Sequence, residues 1–215
     1  APHRIRVTGI PLIPAFENLP GQQQARKNLG LAANPTILIT GGQCGIGVTA
    51  ALQQLLDDKH HRYQLLVTEG SHAADNEKLQ QLAHNYPDRC RLFGWRSDMR
   101  DLFCAADIVV GKPGGLTVSE TLACGKPFIA TCCLGGQEMH NVNFLEKNNA
   151  GRYVELAQLS TVINELFTDA KRMETMNSCA QKLGRAHAAR SIVVELEKLL
   201  GLTKFKKFHV ANLWE

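Results

Sequence analysis

From position 36 onward, short runs of β-branched and aliphatic residues alternate with longer stretches whose apolar residues recur at i, i+3 and i+4. The runs at 36–40 (Thr-Ile-Leu-Ile-Thr), 63–69, 91–94, 107–111, 127–131 and 151–154 read as strands. The stretches 47–57, 74–86, 99–105, 117–124 and 138–148 read as crossover helices. Strands and helices that take turns are the βαβα signature of a parallel sheet covered on both faces. The pattern therefore predicts an α/β domain built on a doubly wound, Rossmann-like sheet of six parallel strands. From position 156 the pattern is helical throughout, broken near Asp169 and at Gly184, and the stretch that ends near Asn34 is Pro- and Gln-containing.

Composition narrows the class without naming a partner. Of 215 residues, 44% are hydrophobic and 20% charged, enough to bury one sizeable core and too apolar for a disordered, collagenous or coiled-coil chain. The 24 Lys and Arg against 20 Asp and Glu leave a formal charge of +4, too small and too evenly spread for a nucleic-acid footprint. Seven Cys without a C-x-x-C pair, six of them in apolar stretches, read as free thiols of a reducing cytosol. Asn34-Pro35-Thr36 is blocked as a glycosylation site by its proline, and no run is long enough to span a membrane. The chain opens on Ala1 rather than Met, and 5–16 reads like a linker, so the expectation is a part of something larger.

Three loops after predicted strands carry the candidate chemistry. The first, Gly41-Gly42-Gln43-Cys44-Gly45-Ile46-Gly47, leads from a strand into a helix, where backbone N–H groups can meet an anion at the positive end of the helix dipole. It contains Gly45-x-Gly47-x-x-Ala50, with Glu69 following 24 residues after Gly45, which keeps a dinucleotide fingerprint and hence an NAD-dependent oxidoreductase or nucleotide-sugar epimerase in view. Against that reading, four residues separate Thr40 from Gly45, whereas the fingerprint wants its first glycine in the tight turn directly after the strand. A plain strand-to-helix turn is the third alternative.

The second loop runs from Gly111-Lys112-Pro113-Gly114-Gly115-Leu116-Thr117 into a helix that carries Glu120. Lys112-Pro113 stops the strand, Gly114-Gly115 lets backbone approach a ligand, and the first helical N–H groups are free, which makes a second anion cradle. In an open parallel sheet, strands one and four of this topology flank the crevice where ligands bind, so both cradles would face one site suited to a diphosphate. Thr117-Val118-Ser119-Glu120 also fits a capping box, in which Glu120 only returns a hydrogen bond to the helix start. The spacing leaves Glu120 as either a cap or a bidentate acceptor for ribose hydroxyls. The third loop, Leu134-Gly135-Gly136-Gln137-Glu138, offers Gln137, Glu138 and Asn141 to sugar hydroxyls, with Glu138 alternatively serving as a first-turn acid for the helix dipole.

At these loops the chain resembles the C-terminal, nucleotide-sugar-binding half of GT-B glycosyltransferases of family 28, closest to the diacylglycerol glycosyltransferase branch. The resemblance rests on Val7-Thr8-Gly9-Ile10-Pro11, Gly41-Gly42, Gly94-Trp95-Arg96 with Met99 and Leu102, Ala105-Ala106-Asp107, Lys112-Pro113-Gly114-Gly115-Leu116-Thr117 through Glu120, and Gly136-Gln137-Glu138 with Asn141. Cys44 between Gln43 and Gly45 departs from the commoner family text. The resemblance implies an inverting, metal-independent transfer of a hexose from a UDP-sugar to a lipid or lipid-linked acceptor. Gly42, Gln43, Gly45, Gly114, Gly115, Leu116 and Thr117 would hold the diphosphate. The stretch with Trp95 and Met99 would hold the uracil, Glu120 the ribose, and Gln137, Glu138 and Asn141 the sugar.

It also implies an organisation: 1–20 a linker leading into the domain, 21–200 the donor-binding domain, and 201–215 a tail that docks on an N-terminal domain. That domain would bring the acceptor site and the general base, so no catalytic residue, cofactor or metal ligand is expected here, and no Asp-x-Asp pair occurs. The protein would be cytoplasmic, peripheral to the membrane in its full form. A non-catalytic UDP-sugar-binding subunit completed by a partner chain is the remaining alternative. Of the eight His, His60, His61, His72 and His84 fall on expected exposed segments and only His140 lies beside the site. The basic-aromatic stretch Lys204 to His209 reads as a docking or solvated tail, or as a weak membrane contact.

Overall fold

The computed structural model describes residues 5–59, 63–71 and 73–201. His60, His61, His72 and all but the first residue of the 201–215 tail lie outside the described residues. Six strands form: β1 Thr36–Thr40, β2 Gln64–Thr68, β3 Cys90–Phe93, β4 Ile108–Gly111, β5 Phe128–Ala130 and β6 Gly151–Tyr153. They pair in parallel in the order β3-β2-β1-β4-β5-β6, the doubly wound arrangement expected from the pattern.

The central strands are apolar without interruption because both of their faces are covered. Ile37 and Ile39 of β1, Leu65 and Val67 of β2, and Ile108 and Val110 of β4 share one core with Leu52 and Leu55 of α2 (Val48–Leu56), Leu79 of α3 (Ala73–His84) and Ile163 of α7 (Leu159–Thr168). The alternate positions Leu38, Leu66 and Val109 turn to the other face. There they meet Ala25 of α1 (Gln22–Asn28), Phe103 of α4 (Arg100–Ala105), Leu122 of α5 (Gly115–Ala123), Leu145 of α6 (Gln137–Lys147) and Ala180 of α8 (Ala170–Leu183). Helix α9, Ala188–Leu199, follows the break at Gly184. Within 1–20, Leu12 and Phe16 are core residues, and the Phe16 ring packs 6.2 Å from that of Phe103.

Two starts differ from expectation. Helix α1 has no predicted counterpart, because its Gln-Gln-Gln-Ala-Arg-Lys-Asn sequence has almost no apolar periodicity; polar bonds hold it instead. Gln22 Nε2 donates to the Ala106 carbonyl (2.9 Å) and to Asp107 Oδ1 (2.8 Å), and Arg26 pairs with Asp107 Oδ2 at 2.7 Å. Asp107 Oδ2 also accepts the Thr36 N–H (2.7 Å), so one carboxylate ties α1 to the starts of β1 and β4. Helix α5 begins at Gly115, two residues before the expected Thr117.

Candidate functional site

Strand order reverses between β1 and β4, whose last residues, Thr40 and Gly111, are register partners. Gly111 has φ +154°, and a Cβ there would sit 1.8 Å from the Thr40 carbonyl oxygen, so only glycine fits. Loops leaving these two strand ends therefore stand side by side at a topological switch point, the place where open α/β sheets bind ligands.

The loop after β1 coils through Gly42, Gly45 and Gly47, all with φ between +65° and +80°, a conformation other residues adopt at a cost. The loop after β2 packs against it: the Ser71 N–H donates to the Gln43 carbonyl (2.7 Å), and a Cβ on Gly45 would touch the Gly70 nitrogen at 3.0 Å. The gap between the ends of β1 and β2 is thereby closed by backbone. Gly45 stands beyond the tight turn, unlike the first glycine of a dinucleotide fingerprint, while Glu69 lines the cleft and accepts from Gln80 Nε2 (2.6 Å).

Across the cleft, α5 starts on Gly114 as N-cap, with no side-chain cap, and its first helical bond runs from the Val118 N–H to the Gly114 carbonyl (2.9 Å). The N–H groups of Gly115, Leu116 and Thr117 are the unpaired donors every helix start leaves. They sit at the positive end of the helix dipole, a ready anion site. Thr117 is the third residue of this helix, so the capping-box reading of Thr117 to Glu120 is corrected. Glu120 lies well into the second turn, too far along to reach the N-cap. Its half-buried carboxyl faces the cleft, and burial, with a smaller contribution from Asp98, pushes its pKa up to about 7.

The third loop joins the second. Glu138 Oε1 pairs with Lys112 Nζ, and Glu138 Oε2 accepts the Leu134 N–H (2.8 Å). Burial alone would raise the Glu138 carboxyl, but the Leu134 N–H and the Lys112 ammonium outweigh it and hold the pKa below its ordinary value. Asn141 Nδ2 donates to the Pro113 carbonyl (2.9 Å), which fixes the loop in front of α5.

These parts enclose a cavity of about 690 Å³ at the carboxyl ends of β1, β2 and β4. Of the residues singled out from sequence, Gly42, Gln43, Trp95, Met99, Gly114, Gly115, Leu116, Thr117 and Glu120 line it, and so does Glu69, the acidic residue of the dinucleotide alternative. Gly45 shapes the first loop from behind, Glu138 and Asn141 brace the second, and Gln137 is exposed at the start of α6. His140 and His84 are exposed and outside the cavity lining. Lys112, Arg96, Phe103 and Leu134 line the cavity without having been singled out; Lys112 and Arg96 stand inside quoted motifs, so adjacency to Gly114 and Trp95 was the available signal. Two other concavities, of about 640 and 740 Å³, lie between β6 and α8 and at the opposite end of the sheet, away from any glycine loop.

Comparison with known proteins bears on the same region. Residues 36–193 match the sequence profile described as the glycosyltransferase family 28 C-terminal domain. A processive diacylglycerol beta-glucosyltransferase of Bacillus pumilus is 30% identical over 200 residues, covering 91% of this chain and 51% of that protein. Monogalactosyldiacylglycerol synthase 1 of Arabidopsis thaliana is 28% identical over 208 residues, covering 92% of this chain and 39% of that one. The chain thus spans about half or less of the length of these relatives. Among solved structures, Anabaena HepE in complex with UDP and glucose shares the fold, with a TM-score of 0.66 at 19% identity over 88% of this chain and 55% of that one.

Proposed function

Because this chain belongs to the glycosyltransferase family 28 C-terminal domain family, we propose that it binds the UDP-sugar donor of a glycosyltransferase that passes a hexose to a lipid or lipid-linked acceptor. The observation that carries the reading is the α5 N-terminus, three free N–H donors facing a glycine-coiled loop across one cleft, with a carboxyl in the next turn of the same helix. Fixed N–H donors at the positive end of a helix are suited to a diphosphate whose charge grows as it leaves the sugar. Gly42 and Gln43, with Gly114 to Thr117, hold that group, and Gly45 shapes the loop that presents them. The backbone around Trp95 and Met99 takes the uracil, and the ionised Glu120 accepts from the two ribose hydroxyls. Gln137, exposed at the start of α6, faces the hexose, with Glu138 and Asn141 holding the loop that meets it.

Inversion requires a base to take a proton from the acceptor hydroxyl on the face opposite the departing diphosphate. In this reading the base and the acceptor site are supplied by the remainder of the protein or by a partner chain. The α5 N-terminus meets the diphosphate charge without a divalent metal. The lipid acceptor is supported by the names of the two relatives, and a full enzyme that meets its acceptor at a membrane surface is part of this reading; no helix of the described residues is long and apolar enough to cross a membrane.

Thermal shifts with UDP, UDP-glucose, UDP-galactose, UDP-N-acetylglucosamine and NAD, each with and without magnesium, test this, since a ligand of the native state raises its stability. Stabilisation by UDP compounds that ignores magnesium is expected. Stabilisation by NAD alone would replace this reading with the oxidoreductase one.

A further inference from the structure

Cys104 lies in the last turn of α4 and Cys124 is the C-cap of α5, and their sulfurs stand 3.5 Å apart. Neither is in a disulfide. Cys104 is buried, while Cys124 opens with Lys126 onto the 740 Å³ cavity at the end of the sheet opposite the donor cleft. The Cys124 thiol against it, and to a lesser degree the Lys126 ammonium, hold the Cys104 thiol below its ordinary pKa although burial pushes the other way. Burial keeps the Cys132 and Cys133 thiols raised.

We propose that Cys104 and Cys124 are a peroxide-oxidisable dithiol whose disulfide weakens donor binding in the cleft. The Cys104 thiolate attacks one oxygen of hydrogen peroxide, the O–O bond breaks, and the departing hydroxide takes up the proton Cys104 released to become water. The Cys124 sulfur then attacks the sulfenic sulfur of Cys104. The S–S bond forms, the S–O bond breaks, and the second hydroxide leaves with the Cys124 proton. Two thiols are oxidised by two electrons, and one peroxide is reduced to two waters.

The link to the cleft is the two helices themselves. A disulfide needs its sulfurs about 2.05 Å apart, so they must close by roughly 1.5 Å, and the part that side-chain rotation does not supply draws the ends of α4 and α5 together. The Cys124 N–H donates to the Glu120 carbonyl (3.1 Å), and Met99, which lines the cleft, is the N-cap of α4. The contraction is therefore transmitted to the wall that carries Glu120. This second half rests on the donor-site reading; the disulfide itself does not.

The test is peroxide treatment of the reduced chain, digestion under non-reducing conditions with mass spectrometry, and titration with UDP-glucose. A Cys104–Cys124 linked peptide short of two hydrogens is expected, reversed by dithiothreitol, with a UDP-glucose Kd at least about threefold weaker. The Cys124→Ser variant, given the same peroxide, keeps its affinity. Cysteines that alkylate as before, with no linked peptide, overturn the dithiol; a linked peptide with unchanged Kd overturns its effect on the cleft. If reduced protein fails to bind UDP-glucose, the donor-site reading has failed, and the mass measurement still decides the dithiol.

Discussion

Glu120 is held in a costly place for a carboxylate unless something binds it. Its pKa is about 7 in the folded protein against 4.5 for an ordinary glutamate, so the native state holds the proton more tightly than the unfolded chain. Stability then falls as pH rises from about 4.5 through about 7 and stays reduced above it, by at most about 3 kcal/mol. Glu120→Gln removes that charge and is expected to raise the Tm of the ligand-free protein at pH 8 but not at pH 5. If Glu120 takes the ribose as proposed, the same residue should set a pH dependence of binding, because only an ionised carboxylate accepts from two hydroxyls. The affinity for UDP-glucose, whose diphosphate does not titrate in this range, should drop as pH falls from 8 to 6, and calorimetry should find Glu120→Gln weaker and pH-independent. Gly111 makes a prediction of a different kind. A methyl group 1.8 Å from the Thr40 carbonyl forces β1 and β4 apart, so Gly111→Ala should lose roughly 2–4 kcal/mol in urea unfolding and donor binding with it.

At the level of elements, what the sequence made legible was whatever hydrophobic burial dictates. All six strands and the helices α2 to α6 were readable because each buries an apolar face, whereas α1 buries one alanine and is fastened by Gln22 and Arg26, a pattern no periodicity reveals. The start of α5 was obscured for a related reason: Gly115 and Leu116 look like loop residues, and Thr117-x-x-Glu120 imitates a cap. Because the helix begins earlier, Glu120 is turned from a cap into a cleft residue. The fastening of α1 is testable at Asp107. Asp107→Ala strands the Thr36 N–H, whose residue is fully buried, and frees Arg26, so a loss of about 1–3 kcal/mol is expected in chemical denaturation. Asp107→Asn keeps an acceptor for that N–H and should lose less.

Across the whole molecule, the site divides by what it can and cannot do. In the proposed reading the cleft offers donors to a diphosphate and acceptors to sugar hydroxyls, yet the histidines of the described residues stand outside its lining and its raised carboxyl, Glu120, sits on the ribose side. Sequence spacing could find the three loops because they follow strands, but it could not show that Lys112 and Glu138 pair across two of them, since that contact joins residues 26 apart. The pair braces the loop in front of α5, so this wall of the cleft is fixed by residues of this chain alone. Binding and transfer should therefore separate. The chain by itself is expected to bind UDP-glucose without magnesium and to transfer little or no sugar to diacylglycerol in mixed micelles. Adding the half of a relative that this chain does not match, such as that of the Bacillus pumilus glucosyltransferase, as a fusion should raise turnover while leaving the UDP-glucose Kd of the cleft within about twofold. Steady-state transfer by the unfused chain at a comparable rate would place the base among these residues after all, and would make the cleft the whole active site.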